Sequence, residues 1–273
     1  MVKVITVAKE EDVARVHVNV EGLRTFIYLL FYVVVVTGVL LTRFFSDLDF
    51  EDNIVLNYFG VNNICVFFDY PPASYVLPFF WAIACFFMVL ERVAALVRVW
   101  MSHEAKHISR KEYVTVTLAI FYQILSLWYF SVIFAVQPHN LLTLRIHTMP
   151  YTNLVLSLAV MAITNIWYAW KVGYDSFWFP PRAKWIFLPY LVMLLLVSVH
   201  GVIHQVHTMV YEKPWNDAPF PLNMALGNVW LILVVVVPPA WNLYLNCALS
   251  EKAVQISLDV SLSVGPGMRP LPG

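Results

Sequence analysis

Six apolar stretches, each about as long as a bilayer is thick, constrain this chain more than any other feature of it. A transmembrane helix needs roughly 20 mostly apolar residues at about 1.5 Å of rise each. Stretches of that kind run near 24–45, 74–98, 113–136, 148–170, 185–208 and 222–249. The composition agrees, since 60% of the residues are hydrophobic and 12% charged, against about 45–50% and 25% in a soluble domain. In 273 residues, six spans and their connections leave no room for a separate soluble domain of ordinary size. The expected fold is therefore an all-α, six-span membrane bundle over 24–249, flanked by two strand-like segments, 1–23 and 250–273.

The formal net charge is zero, which gives no attraction to nucleic acid, but the charges are sorted between the connections. Lys3, Lys9, Arg15 and Arg24 precede the first span, and the same side then receives Arg98, Lys106, Arg110 and Lys111, then Lys171, Arg182 and Lys184, then Lys252 and Arg269. The opposite side keeps Arg43, Arg145 and Lys213, with Asp47, Asp49, Glu51, Asp52 and Asp69 between the first two spans. By the positive-inside rule both termini are expected in the cytoplasm, or in the matrix of a mitochondrion. No signal peptide is expected, because the first long apolar run is itself long enough to span. Cys85 and Cys247 fall inside spans, so Cys65 has no partner on the acidic side for a disulfide. The absence of any Asn-x-Ser/Thr sequon means that nothing demands a glycosylating compartment.

Both ends alternate. Val254, Ile256, Leu258, Val260, Leu262 and Val264 share one face of 253–264, and Val16, Val18 and Val20 alternate with polar residues near the start. Period two is the signature of a half-buried strand. The termini are thus expected to form a small β element on their shared membrane side, leaning on the bundle or on another chain.

Within the spans, matched broken helices of the kind seen in inverted-repeat transporters are missing. Glu91, next to Arg92, is expected near the inner end of the second span, which leaves no ionisable group in the interior for ion coupling. Pro238-Pro239 should kink the sixth span, and Asn228, Asn242 and Asn246 should bond between helices.

Of the eight histidines, His200, His204 and His207 stand at i, i+4 and i+7, one face of the fifth span at its acidic-side end. His147 precedes the fourth span on that side, in His147-Thr148-Met149-Pro150, where the proline suits a helix's first turn. Histidines one turn apart suit zinc or iron, with haem less readily built from them. They serve equally as hydrogen-bonding groups at an interface.

The motif His147-Thr148-Met149-Pro150, with histidines late in the fifth span, resembles the androgen-induced-protein family of six-span membrane lipid hydrolases. The resemblance implies that His147 works with a hydroxyl near the start of the second span, where the family has threonine and this chain offers Ser74. Two functional expectations arise. One is a non-catalytic membrane subunit that packs against other membrane proteins and lipid in a larger complex. The alternative is a membrane-embedded lipid hydrolase with His147 as base and Ser74 or Thr148 as nucleophile, which must lie within about 2.6–3.2 Å of each other.

Overall fold

A computed structural model of the chain describes residues 5–10, 13–18, 20–60, 62, 64–172, 183–212, 220–248 and 256–258. Six helices in it are long and apolar enough to cross a membrane, and the chain is a multi-pass membrane protein. The spans are carried by α1 (Val20–Phe45), α4 (Ala73–Glu104), α5 (Arg110–Phe130), α6 (Leu141–Val172), α7 (Ala183–Tyr211) and a sixth unit of α8 (Phe220–Leu231), a π-helical turn (Ile232–Val236) and α9 (Val237–Ala248). Two short helices, α2 (Ile54–Phe59) and α3 (Val66–Asp69), fill the acidic connection after α1. What is established is this helical bundle; a small β element at the chain ends is not established by it. Most of the expected C-terminal strand lies outside the described residues, as do the tail beyond it and the side chain of Asn246.

The helices turn one face inward and one outward. On α4, Tyr75, Phe79 and Phe86 are exposed, while Leu77, Trp81, Ala84 and Arg92 are buried. Large exposed apolar side chains on a helix that would be unstable in water are what a lipid solvent permits. The buried face of α4 packs with Val34 of α1, Phe68 of α3, Leu127 and Phe130 of α5 and Tyr151 of α6 in one core. The only glycine described in α1 besides the one at its start, Gly38, sits where α3 crosses closest: a Cβ there would lie 2.9 Å from the Phe68 ring. One close approach through a small residue is therefore present.

Local chemistry explains the helix ends. Ser109 caps α5, its hydroxyl accepting from the Glu112 N–H while Glu112 reaches back to the Ser109 N–H, a reciprocal capping box. Asn140 does the same work for α6, its Oδ1 accepting from the Thr143 N–H at 2.9 Å. That cap starts α6 at Leu141, seven residues before the expected Thr148, so Pro150 lies inside the helix rather than in its first turn. α4 likewise continues six residues past the expected Arg98, to Glu104. Glu91 is consequently about 20 Å from that end at roughly 1.5 Å per residue. It is 4% exposed and faces the bundle interior, which corrects its expected place near the end of the span.

Pro238 and Pro239 produce more than a kink. The Val237 N–H reaches Ile232 O in the π register, and the two prolines have no N–H to offer the carbonyls a turn back. Tyrosines from other helices substitute. The Tyr190 hydroxyl of α7 donates to Leu233 O at 3.0 Å, and the Tyr32 hydroxyl of α1 donates to Val235 O. Asn242, one turn after the prolines, accepts from Thr25 Oγ1 at 2.6 Å, an interhelix bond of the kind expected for it.

Candidate functional site

Between the helices lies a partly open cavity of about 330 Å³. Its lining on α4 extends from Trp81 to Val99, about 27 Å along the helix at roughly 1.5 Å per residue, so the space is long. Apolar side chains from α1, α4, α5, α6, α7 and the sixth unit form most of the wall, and the π turn contributes Val234 and Val235. π turns are rare and are found frequently at functional sites.

One end of the cavity is polar. Arg24 Nε donates to Glu91 Oε1 at 2.8 Å, and Arg92 Nε donates to Glu91 Oε2 at 2.6 Å. Arg92 Nη1 donates to Gln123 Oε1 at 2.9 Å, and Gln123 Nε2 donates to Thr164 Oγ1 at 3.3 Å. Arg92 is 3% exposed and Gln123 2%. A buried guanidinium is tolerated only when its charge is answered and its donors are used, and α1, α4, α5 and α6 each supply a member of this network. The guanidinium of Arg98 lies 5.9 Å from the centroid of the Tyr168 ring at the same end.

The opposite end of the bundle holds His147. It is 2% exposed, with Nδ1 2.8 Å from Val136 O and Nε2 3.1 Å from Asp69 Oδ1. Asp69 is the last residue of α3, and its carboxylate is fully enclosed. Burial pushes its carboxyl pKa up, and the neighbouring imidazole holds it partly down. Cys65, one turn earlier, is buried as well; its thiol is pushed well above the ordinary value by burial first and by the Asp69 charge second, which leaves an unreactive thiol.

The candidate nucleophiles are placed elsewhere. Ser74 Oγ accepts from Gln137 Nε2 at 3.2 Å. Thr148 is buried, and its carbonyl accepts from Thr152 Oγ1 at 3.1 Å. Among the described residues no hydrogen bond joins His147 to either hydroxyl, and both imidazole nitrogens face other groups. Sequence reasoning misses Asp69 as the residue that meets His147, because a carboxylate in an acidic connection reads as solvated until α3 folds it inward.

The three histidines of α7 do share a face, but each is engaged differently. His204 Nε2 lies 3.0 Å from Phe59 O of α2, its ring parallel to that of His200 at 6.4 Å between centroids. His207 packs on the Tyr211 ring at 4.5 Å. Among the described residues no three His, Cys, Asp or Glu side chains come together as metal ligands. His200 and His204 line a smaller cavity of about 120 Å³ with Asn62, Gln205 and Asn228.

Comparison with known proteins returns no relative. No protein-family model, no curated protein and no solved structure matches the chain. The geometry alone therefore speaks to function, and it offers one built cavity with a polar end, together with a histidine sealed against a carboxylate.

Proposed function

We propose that this chain is a non-catalytic integral membrane subunit that holds a lipid-like molecule inside its bundle and packs against other membrane proteins and lipid. The observation that carries the reading is the long cavity of about 330 Å³ with apolar walls and the Arg92–Glu91 network at one end. Ligand pockets are concave and mostly apolar, with a few convergent polar groups that fix orientation. The termini stand on the cytoplasmic or matrix side in this reading, supported by the sorting of Lys and Arg among the connections.

A small β element at the chain ends belongs to the same proposal. Its support is the alternation of both segments and the antiparallel backbone register of Ile5–Glu10 with Val13–Val18, extended by Val16–Val18 against Ile256–Leu258. Such an element has an open edge to which a partner strand can add.

Gentle purification from the native membrane tests the reading. Stoichiometric partner proteins and a co-extracted lipid, identified by mass spectrometry, are expected; a solitary chain free of lipid would overturn it.

The second reading, a histidine-dependent lipid hydrolase, draws on one observation, the Asp69 carboxylate 3.1 Å from His147 Nε2. A carboxylate that orients an imidazole is how a catalytic base is held. The other nitrogen of His147 is turned to Val136 O at 2.8 Å, where a nucleophile would have to sit, and the first reading is favoured for that reason.

A further inference from the structure

The turn between α4 and α5 carries positive charge at three positions where the backbone favours something else. α4 ends in a Schellman cap, in which the His107 N–H donates to Ser102 O and the Lys106 N–H to His103 O, both at 2.9 Å. The cap needs a left-handed residue at Lys106, whose φ is 61°. Glycine meets that need without steric penalty, whereas the Cβ of a lysine crowds the carbonyl that follows it. Arg110 and Lys111 then open α5, where the helix dipole favours acids and disfavours cations. Local rules broken in this way are expected at functional sites. The positive-inside rule asks that cations lie in the connection, but not that a lysine take its left-handed position.

Lys106, Arg110 and Lys111 are exposed, and among the described residues none of the three is in an ion pair. Glu112, the acid next to them, is already taken: Oε2 accepts from the Ser109 hydroxyl at 2.8 Å, and Oε1 lies 3.1 Å from Lys171 Nζ. Against Glu104, which is exposed as well, the three cations leave the turn an excess of positive charge. The backbone beneath them is fixed, with Ile108 buried among Val99 and Val116 and the His103 ring stacked on Tyr113 at 4.7 Å. Pre-organised groups lose less freedom when they bind. Trp100 and Trp170 are 51% and 46% exposed near this end, and tryptophan collects at the level of the lipid head groups. Glu104 ends α4 about 6 Å beyond Trp100 at roughly 1.5 Å per residue, which sets the turn among head groups. We propose that this turn binds the head groups of anionic phospholipids through Lys106, Arg110 and Lys111. The site is separate from the cavity and does not depend on what the cavity holds.

Native mass spectrometry of the full chain, delipidated in detergent and given equal amounts of phosphatidylglycerol and phosphatidylcholine, tests the site. The unaltered chain should retain phosphatidylglycerol in excess; equal retention of the two lipids would overturn the proposal. Lys106→Gly should lower the preference about fivefold, the factor expected for one cation near an anionic head group. The same variant should raise the unfolding midpoint, on the order of 2–4 °C, because glycine suits the left-handed position. A purely structural role for Lys106 predicts that stabilisation with the lipid preference unchanged, and such a result would overturn the proposal. Arg110→Gln combined with Lys111→Gln should lower the preference further than Lys106→Gly does. Arg43→Gln, at the opposite end of the bundle, should leave it as it was; an equal loss there would show that net charge alone attracts the lipid and that the turn is no site.

Discussion

His147 Nε2 lies 3.1 Å from Asp69 Oδ1, and this contact ties the short helix α3 to the spanning helix α6. Both side chains are enclosed by the bundle. Removing one member of a buried ion pair strands the other, which typically costs about 3–5 kcal/mol. His147→Ala should therefore lower the unfolding midpoint of the purified protein markedly, whereas Asp69→Asn, which leaves no buried charge on α3, should cost clearly less. Thermal unfolding followed by tryptophan fluorescence checks the order; equal losses would show that the contact carries no charge.

The same carboxylate makes stability depend on pH. Its pKa in the folded protein is raised by burial, so between the unfolded and folded values the folded state binds the extra proton. Stability is then fully present below the unfolded value, near 3.9 for an ordinary Asp, and declines as pH rises through the folded one. Asp69→Asn should remove this decline, measured as the difference in unfolding free energy between acid and neutral buffer.

Gly38 has no room for a side chain, since a Cβ would stand 2.9 Å from the buried Phe68 ring and 3.0 Å from a Leu77 methyl. Overpacking of this kind costs typically about 1–3 kcal/mol. Gly38→Val should lower stability by that amount and loosen the acidic connection, seen as faster proteolysis within 46–72; unchanged stability and cleavage would mean that α3 shifts freely.

Tyr190→Phe should leave Leu233 O without the hydroxyl that now donates to it at 3.0 Å. A buried carbonyl left unsatisfied costs about 1–3 kcal/mol. Tyr32→Phe should act similarly on Val235 O. Replacing Pro238 and Pro239 by Ala as well should restore much of the loss, because new N–H groups would meet those carbonyls; a double-mutant comparison by chemical denaturation measures the coupling.

The helical bundle is legible in the sequence because twenty apolar residues in a row have few other solutions. The positions of Glu91 and Pro150 within their helices are not, and for one reason. An apolar run marks where a span should stop, while Asn140 and the residues from Val99 to Glu104 prolong the helices beyond it. Hydropathy reports where lipid ends, and capping reports where the helix ends. The cavity is not legible at all. It arises where Arg24, Arg92, Gln123 and Thr164 from four separate helices converge, and no spacing within one segment encodes that. His147 stands out in the sequence, but its partner Asp69 is 78 positions away and is brought there by a four-residue helix.

The tyrosine-capped π turn binds distant positions into one unit of inheritance. Tyr32, Tyr190 and the Pro238-Pro239 pair sit on three different spans, yet a lineage that lost the prolines would no longer need the hydroxyls. One that lost a hydroxyl while keeping the prolines would carry a stranded carbonyl in its interior. In descendants of this chain the four residues should therefore be retained or discarded together, a pattern of joint substitution that arises from backbone hydrogen bonding alone.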